Sequence, residues 1–178
     1  METFTTLFNV ILGIGSIIAL IIGIANFIFL FSNSGQKIQV CVQKHILWFG
    51  LLITSAGVIG SLIYSNVIGY PPCMFCWYAR IFLYPQMFMF AYALYKKDRG
   101  VLPYAMILTI IGIIVSTYHY FFIDIARLDL IPCGTQAVSC SIRYVYEFGF
   151  VTIPFMGFAS FVLLGSLLAI ATRKDIDK

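Results

Sequence analysis

The sequence predicts an all-α integral membrane protein with five membrane-spanning helices, and three observations predict it. Of its 178 residues, 61% are hydrophobic and 17% aromatic, while only 10% are charged, against roughly 25% charged in a soluble domain. Five stretches are each long and apolar enough to cross a hydrocarbon core, which takes about 20 helical residues. The Lys and Arg side chains gather on alternate connections between those stretches, as the positive-inside rule requires of a multi-pass chain. So few charges cannot coat a water-soluble surface of this size. A formal net charge of +4, scattered along the chain, supplies no basic patch for a nucleic acid.

The first span, Leu7 to Phe31, follows Glu2 rather than Lys or Arg. It exceeds the apolar region of a signal peptide and lacks an A-x-A cleavage site, so it is expected to stay as a helix. Its Asn9, Ser16 and Asn26 are expected to hydrogen-bond across helices. The other spans run from Ile46 to Val67, Phe75 to Tyr95, Val101 to Phe122 and Val151 to Ala171. Lys37 and Lys44 follow span one, Lys96, Lys97 and Arg99 follow span three, and Arg173, Lys174 and Lys178 follow span five. These mark the cytoplasmic side, which leaves the N-terminus, the short turn Ile68 to Met74 and the long loop Ile123 to Phe150 on the outer side. The beginning of that loop, Ile123 to Leu130, reads as a short interfacial helix in which Asp124 and Arg127, at i and i+3, pair weakly. No internal repeat stands out.

Topology sorts the five cysteines. Cys73 and Cys76 form a C-x-x-C behind Pro71 and Pro72, and Cys133 and Cys140 lie in the long outer loop. All four face the compartment where disulfides persist, whereas Cys41 falls on the reducing side and reads as a thiol without a role. Two inert readings compete for the outer four. Bridges closing such short loops stabilise by only about 2 to 2.5 kcal/mol in the chain-entropy model, little for a bundle already held by lipid. A four-thiolate zinc site is the other, weakened by six intervening residues in its second half. A redox pair fits the setting of the C-x-x-C better. The two prolines hold the approach extended and suit a helix start, so Cys76 falls in the first turn, where unpaired N–H groups favour a thiolate. A thiolate there is a better leaving group and electron donor.

Arg80 lies four residues after Cys76, on the same helix face and about 6 Å deeper. A cation at that depth is by default a site hypothesis, with snorkelling to headgroups as the plain alternative. It could lower the pKa of Cys76 and hydrogen-bond the carbonyl of a lipid-soluble acceptor. His119, near the outer end of span four, is a candidate donor or proton carrier for a quinone oxygen, or else an aromatic-belt anchor like its neighbours Tyr118 and Tyr120. Trp77, Tyr78, Phe82 and Tyr84 read as belt or packing residues.

The string P-C-x-x-C-W-Y-x-R-I-x-x-Y-P entering a span, followed by a span ending in Y-H and a loop with P-C-G and a second cysteine, resembles the DsbB/BdbC family of disulfide bond formation proteins. The resemblance covers residues 46 to 171. It implies a four-helix transmembrane bundle, from which this chain departs by its extra first span; the expected organisation is residues 1–45 (the extra N-terminal transmembrane helix and a cytoplasmic loop), 46–171 (the DsbB-like domain) and 172–178 (a cytoplasmic tail). It further implies a multi-pass protein of the bacterial cytoplasmic membrane that reoxidises a soluble thioredoxin-fold thiol oxidase of the DsbA or BdbD type. The electrons then pass to a membrane quinone, ubiquinone or menaquinone. By motif, Cys133 would take the partner's thiolate, with Cys140 as its pair. Cys73 and Cys76 would reoxidise that pair through a transient Cys73 to Cys140 bridge. Cys76 would stand next to the quinone with Arg80 as its electrostatic partner, and His119 would be near the quinone. The short Cys133 to Cys140 spacing is more like the Gram-positive BdbC branch.

A vitamin K epoxide reductase type protein is the nearest rival, but in that family the loop pair precedes the C-x-x-C and here it follows. A membrane protein with structural disulfides is the rival from outside enzymology.

Overall fold

A computed structural model describes residues 2–31, 36–126 and 139–176. They form five long helices: α1 (Glu2–Phe31), α2 (Gln36–Leu62), α3 (Met74–Lys96), α4 (Leu102–Thr117) and α5 (Ile153–Ile176). Two of these run on into π-helical turns, α2 through Ile63–Val67 and α4 through Tyr118–Ile125. Each predicted span coincides with one helix, so the all-α membrane class holds. Four helices, all but α3, are long and apolar enough to cross a membrane. The 23-residue α3 is long enough, but Arg80, Gln86 and Lys96 make it more polar.

α2 starts about ten residues before the predicted span. No glycine or proline interrupts Gln36 to Leu62 until Gly50, and its polar first turns bond neighbouring chain ends. Gln39 donates to the Phe29 carbonyl at 3.4 Å, Gln43 donates to that of Ile170 at 3.3 Å, and Arg99 donates to the Gln43 carbonyl at 2.8 Å. The Phe29 carbonyl, in the last turn of α1, is one of the acceptors left over at a helix end.

Helices α2 to α5 close a ring: α2 packs on α3 and α5, and α4 on α3 and α5. Helix α1 lies outside it, chiefly against α5. Lipid gives no hydrophobic reward for helix association, so close packing and interhelical hydrogen bonds must hold the bundle. Both are visible. A Cβ at Gly112 would sit 2.3 Å from the Phe161 ring, and one at Gly23 would sit 3.2 Å from the Leu163 backbone, so α4 and α1 each approach α5 through a missing side chain. Gln86, fully buried, donates to Phe82 O at 2.9 Å and accepts from the Thr109 hydroxyl at 3.0 Å, linking α3 to α4. Asn9 accepts from the Tyr64 hydroxyl at 3.0 Å and Asn26 donates to Ser166 at 3.4 Å, as expected of them. Ser16 departs from expectation: its hydroxyl turns back to the Gly13 carbonyl of its own helix at 2.8 Å, a bond one turn away and always in reach. On the outside, Ile11, Ile18, Leu52, Ile59, Phe88, Ile107 and Ile114 remain exposed, the pattern of a lipid-facing surface.

Candidate active site

Tyr70, Pro71 and Pro72 lead without helical structure into α3, and Cys73 is the residue before its first turn, with φ −73° and ψ 172°. Its carbonyl accepts the Trp77 N–H at 3.1 Å, which starts the helix. Cys76 is the third residue of α3, and its sulfur lies 3.3 Å from that of Cys73. The C-x-x-C is thus a helix-start dithiol, with one thiol before the first turn and one inside it.

Cys140 arrives from a distant part of the chain. Rings fasten its segment to the approach of α3: Tyr144 stacks on Tyr70 with centroids 4.8 Å apart, and Tyr70 stacks on Tyr64 at 6.1 Å. Cys140 and Cys73 are both buried, 5% and 6% exposed, and share a cluster with Phe75 and Ile123. The Cys140 contact pulls the Cys73 thiol down, but the neighbouring Cys76 sulfur and burial outweigh it and push Cys73 up to about 12. Cys133 and Arg127 lie outside the described residues, so the geometry covers only the Cys140 half of the loop pair. Cys41 is exposed on α2, before the span predicted for that helix.

His119 is not a belt anchor. It is 4% exposed, its Nε2 lies 3.7 Å from the Cys73 sulfur, and it contacts the Cys140 backbone. Tyr120 is buried too and donates to Phe150 O at 3.2 Å. Trp77 and Tyr78, by contrast, are exposed as belt residues would be. Ligand atoms of Cys73, His119 and Cys140 lie within 4.8 Å of one another, close enough to hold a soft cation on three donors.

Arg80 does not snorkel freely. Its Nε donates to the Ser61 hydroxyl at 2.8 Å, a terminal nitrogen donates to the Ser61 carbonyl at 3.1 Å, and the guanidinium lies 5.2 Å from the Trp77 ring centroid. Two bonds to α2 fix a cation that would otherwise be costly at this depth. Ser61 escaped the sequence reading because nothing near it in the chain marks it. Arg80 and Cys76 line one mostly apolar cavity of about 390 Å³, which also reaches Cys73, His119 and Cys140.

Arg127 of the expected Asp124–Arg127 pair lies outside the described residues; among those described, Asp124 has other partners. Asp124 is 2% exposed. It receives Arg143 Nε at 2.5 Å and the Thr152 hydroxyl at 2.6 Å, while a terminal nitrogen of Arg143 also donates to its carbonyl. The carboxylate keeps Arg143 more firmly protonated than usual. The π-helical turn carries Asp124 inward. The partner lies 19 residues away in the chain, beyond the reach of a local pattern.

The family model for disulfide bond formation protein DsbB matches residues 43–171. The chain belongs to the DsbB family. Among its relatives, the "Probable disulfide formation protein C 1" of Bacillus anthracis is 33% identical over 122 residues, covering 68% of this chain and 88% of that protein. The "Probable disulfide formation protein C" of Halalkalibacterium halodurans is 38% identical over 121 residues, 66% of this chain and 87% of its own. A "Probable disulfide formation protein" of Chlamydia caviae is 32% identical over 133 residues, 75% and 96% of the two chains. No solved structure matches significantly. The DsbB match takes in the C-x-x-C, Arg80, His119 and Cys140 and leaves out α1.

Proposed function

We propose that this DsbB-family protein is a quinone-dependent protein-disulfide oxidoreductase that reoxidises a soluble, extracytoplasmic thioredoxin-fold thiol oxidase of the DsbA or BdbD kind. The observation that carries the reading is the meeting of Cys140 with Cys73 at the head of α3, above a cavity shared by Cys76 and Arg80. An inert pair of bridges would need no such junction.

In the proposed cycle the partner's thiolate attacks Cys133 of a Cys133–Cys140 disulfide, forming a mixed disulfide and releasing the Cys140 thiolate. Cys140 then attacks Cys73 of the Cys73–Cys76 disulfide, so that a Cys73–Cys140 bond forms and Cys76 leaves as thiolate. The high proton affinity of Cys73 makes it the poorer leaving group, which favours attack at its sulfur and expulsion of Cys76. The partner's second thiol releases it as the disulfide, and the freed Cys133 thiolate regenerates Cys133–Cys140, leaving Cys73 and Cys76 reduced. A membrane quinone supplies the oxidising power, accepting two electrons and two protons from this pair. The apolar cavity fits such a ring, and the Arg80 guanidinium offers a hydrogen-bond donor for a carbonyl oxygen. His119 stands where it can exchange a proton with Cys73.

The charge distribution supports a cytoplasmic C-terminus and an outer face for both cysteine pairs in a bacterial cell membrane. The division into residues 1–45, 46–171 and 172–178 belongs to the same proposal. The test is oxidation of a reduced thioredoxin-fold partner by the purified protein, with and without a short-chain quinone, repeated on each single cysteine variant. Oxidation should stop without quinone and in all four outer-cysteine variants. Undiminished oxidation without any acceptor, or zinc bound at one equivalent by the four sulfurs, would overturn the reading.

A further inference from the structure

Helix α1 lies outside both the ring of four helices and the family match, yet it reaches the cavity beneath the C-x-x-C. Leu12, Gly15, Ser16 and Ala19 line that cavity together with Cys76 and Arg80. These four recur at i, i+3, i+4 and i+7, so they form one face of the helix. Opposite them, Ile53, Gly57 and Gly60 of α2 line the same space, and a Cβ at Gly60 would touch Leu12 at 3.5 Å. Helix α1 therefore closes the side of the cavity between α2 and α5.

Gly15 is the informative position. Glycine in a helix interior is less favourable than alanine by about 1 kcal/mol, and the other α1 glycines have neighbours within contact of where a Cβ would stand. A Cβ at Gly13 would meet Phe148 at 3.4 Å, and one at Gly23 would meet Val162 at 3.1 Å. A Cβ at Gly15 would meet nothing within 4 Å. Gly15 is both exposed and part of the cavity lining, which puts it at the mouth. Its missing side chain keeps open a space that no described residue fills within 4 Å of where a Cβ would stand.

We propose that α1 is a wall of the acceptor site and that its face from Leu12 to Ala19 sets the width, making Gly15 a specificity-determining position for the quinone ring. This rests on the quinone-linked function proposed above and assigns α1 a part in it. Gly15→Leu should narrow the site and Leu12→Ala should widen it. The first readout is equilibrium binding of a short-chain naphthoquinone to the oxidised full-length protein by titration calorimetry. The second is the single-turnover rate of disulfide exchange with a reduced thioredoxin-fold partner, which needs no quinone.

Gly15→Leu should weaken binding roughly tenfold or more, the scale of a misfitting methylene group in a closed pocket. It should weaken a single-ring benzoquinone less. Leu12→Ala should reduce that discrimination, and the lipid-facing Ile18→Leu should change nothing. Exchange rates equal to wild type in all three would show that each variant is folded. If the wild type binds naphthoquinone and both cavity variants bind it equally well, the α1 inference is overturned while the proposed function stands. If the wild type binds neither quinone, the proposed function falls and the inference with it.

Discussion

At the end of the bundle that begins near Cys41, Val42, Ile46, Phe90, Leu102, Leu164 and Leu168 form a buried apolar cluster with uncharged polar residues such as Asn26 and Ser166 beside it. At the other end, the buried set includes Cys73, His119, Asp124, Cys140 and Thr152, and two helices loosen into π-helical turns. The first end is close-packed mainly by hydrocarbon, its few buried polar groups pairing with one another as Asn26 does with Ser166 and Gln86 with Thr109. The second must satisfy every polar group with a partner, because an unpaired one in this setting costs several kcal/mol. The contrast assigns the work: one end holds the helices together, and the other holds reactive groups at fixed separations.

The largest test of that contrast is Cys140→Ser. It should lower quinone-linked turnover about a thousandfold or more, since the relay loses its only described link between the loop and the C-x-x-C. Turnover within tenfold of wild type would break the comparison. A pair of variants then separates the two ends. Leu168→Ala leaves a cavity among apolar side chains and should cost about 2 to 4 kcal/mol of stability, read from thermal unfolding in detergent, with little change in disulfide exchange. Asp124→Asn should cost less, about 1 to 3 kcal/mol, because one quarter of the Arg143 side chain stays exposed. It should nonetheless slow exchange between Cys140 and Cys73 about tenfold, since that bond network positions the segment bearing Cys140. Equal effects of the two variants on exchange would erase the distinction.

A finer test uses pH. With its thiol pushed up to about 12, Cys73 of the fully reduced protein should be alkylated by iodoacetamide at a rate that keeps climbing above pH 10, measured by mass spectrometry. The sign follows from the thiolate being the reactive form: a raised pKa delays its appearance as pH increases. A plateau by pH 9 would contradict the crowding of Cys73 by Cys76 and burial. The smallest effect is expected of Cys41→Ser, which should leave turnover unchanged. A loss would place that thiol in the relay and the charge-based sidedness in error.

The helices were legible because apolar length is a local property of the chain. The start of α2 was not, since hydropathy marks where lipid begins and says little about where polar residues such as Gln39 and Gln43 continue the helix. The C-x-x-C and Arg80 could be read from spacing within one span. Ser61 beneath Arg80, Arg143 on Asp124 and the α1 face lining the cavity could not. Each depends on contacts between segments 19 or more residues apart, and no periodicity in one segment encodes its neighbour in another. His119 shows the same limit: its place in the sequence suits an interfacial aromatic, and only the packing of α3 against α4 decides that it is buried.

The hydrogen bond from Thr152 to Asp124 joins residues 28 positions apart. It ties together the two points where the chain leaves α4 and enters α5, so the intervening stretch is a noose whose knot sits inside the protein. A single engineered nick between them would leave both feet fastened, and Arg143 would still grip the same carboxylate. A chain cut at a protease site inserted there should therefore yield two fragments that migrate together until they are denatured.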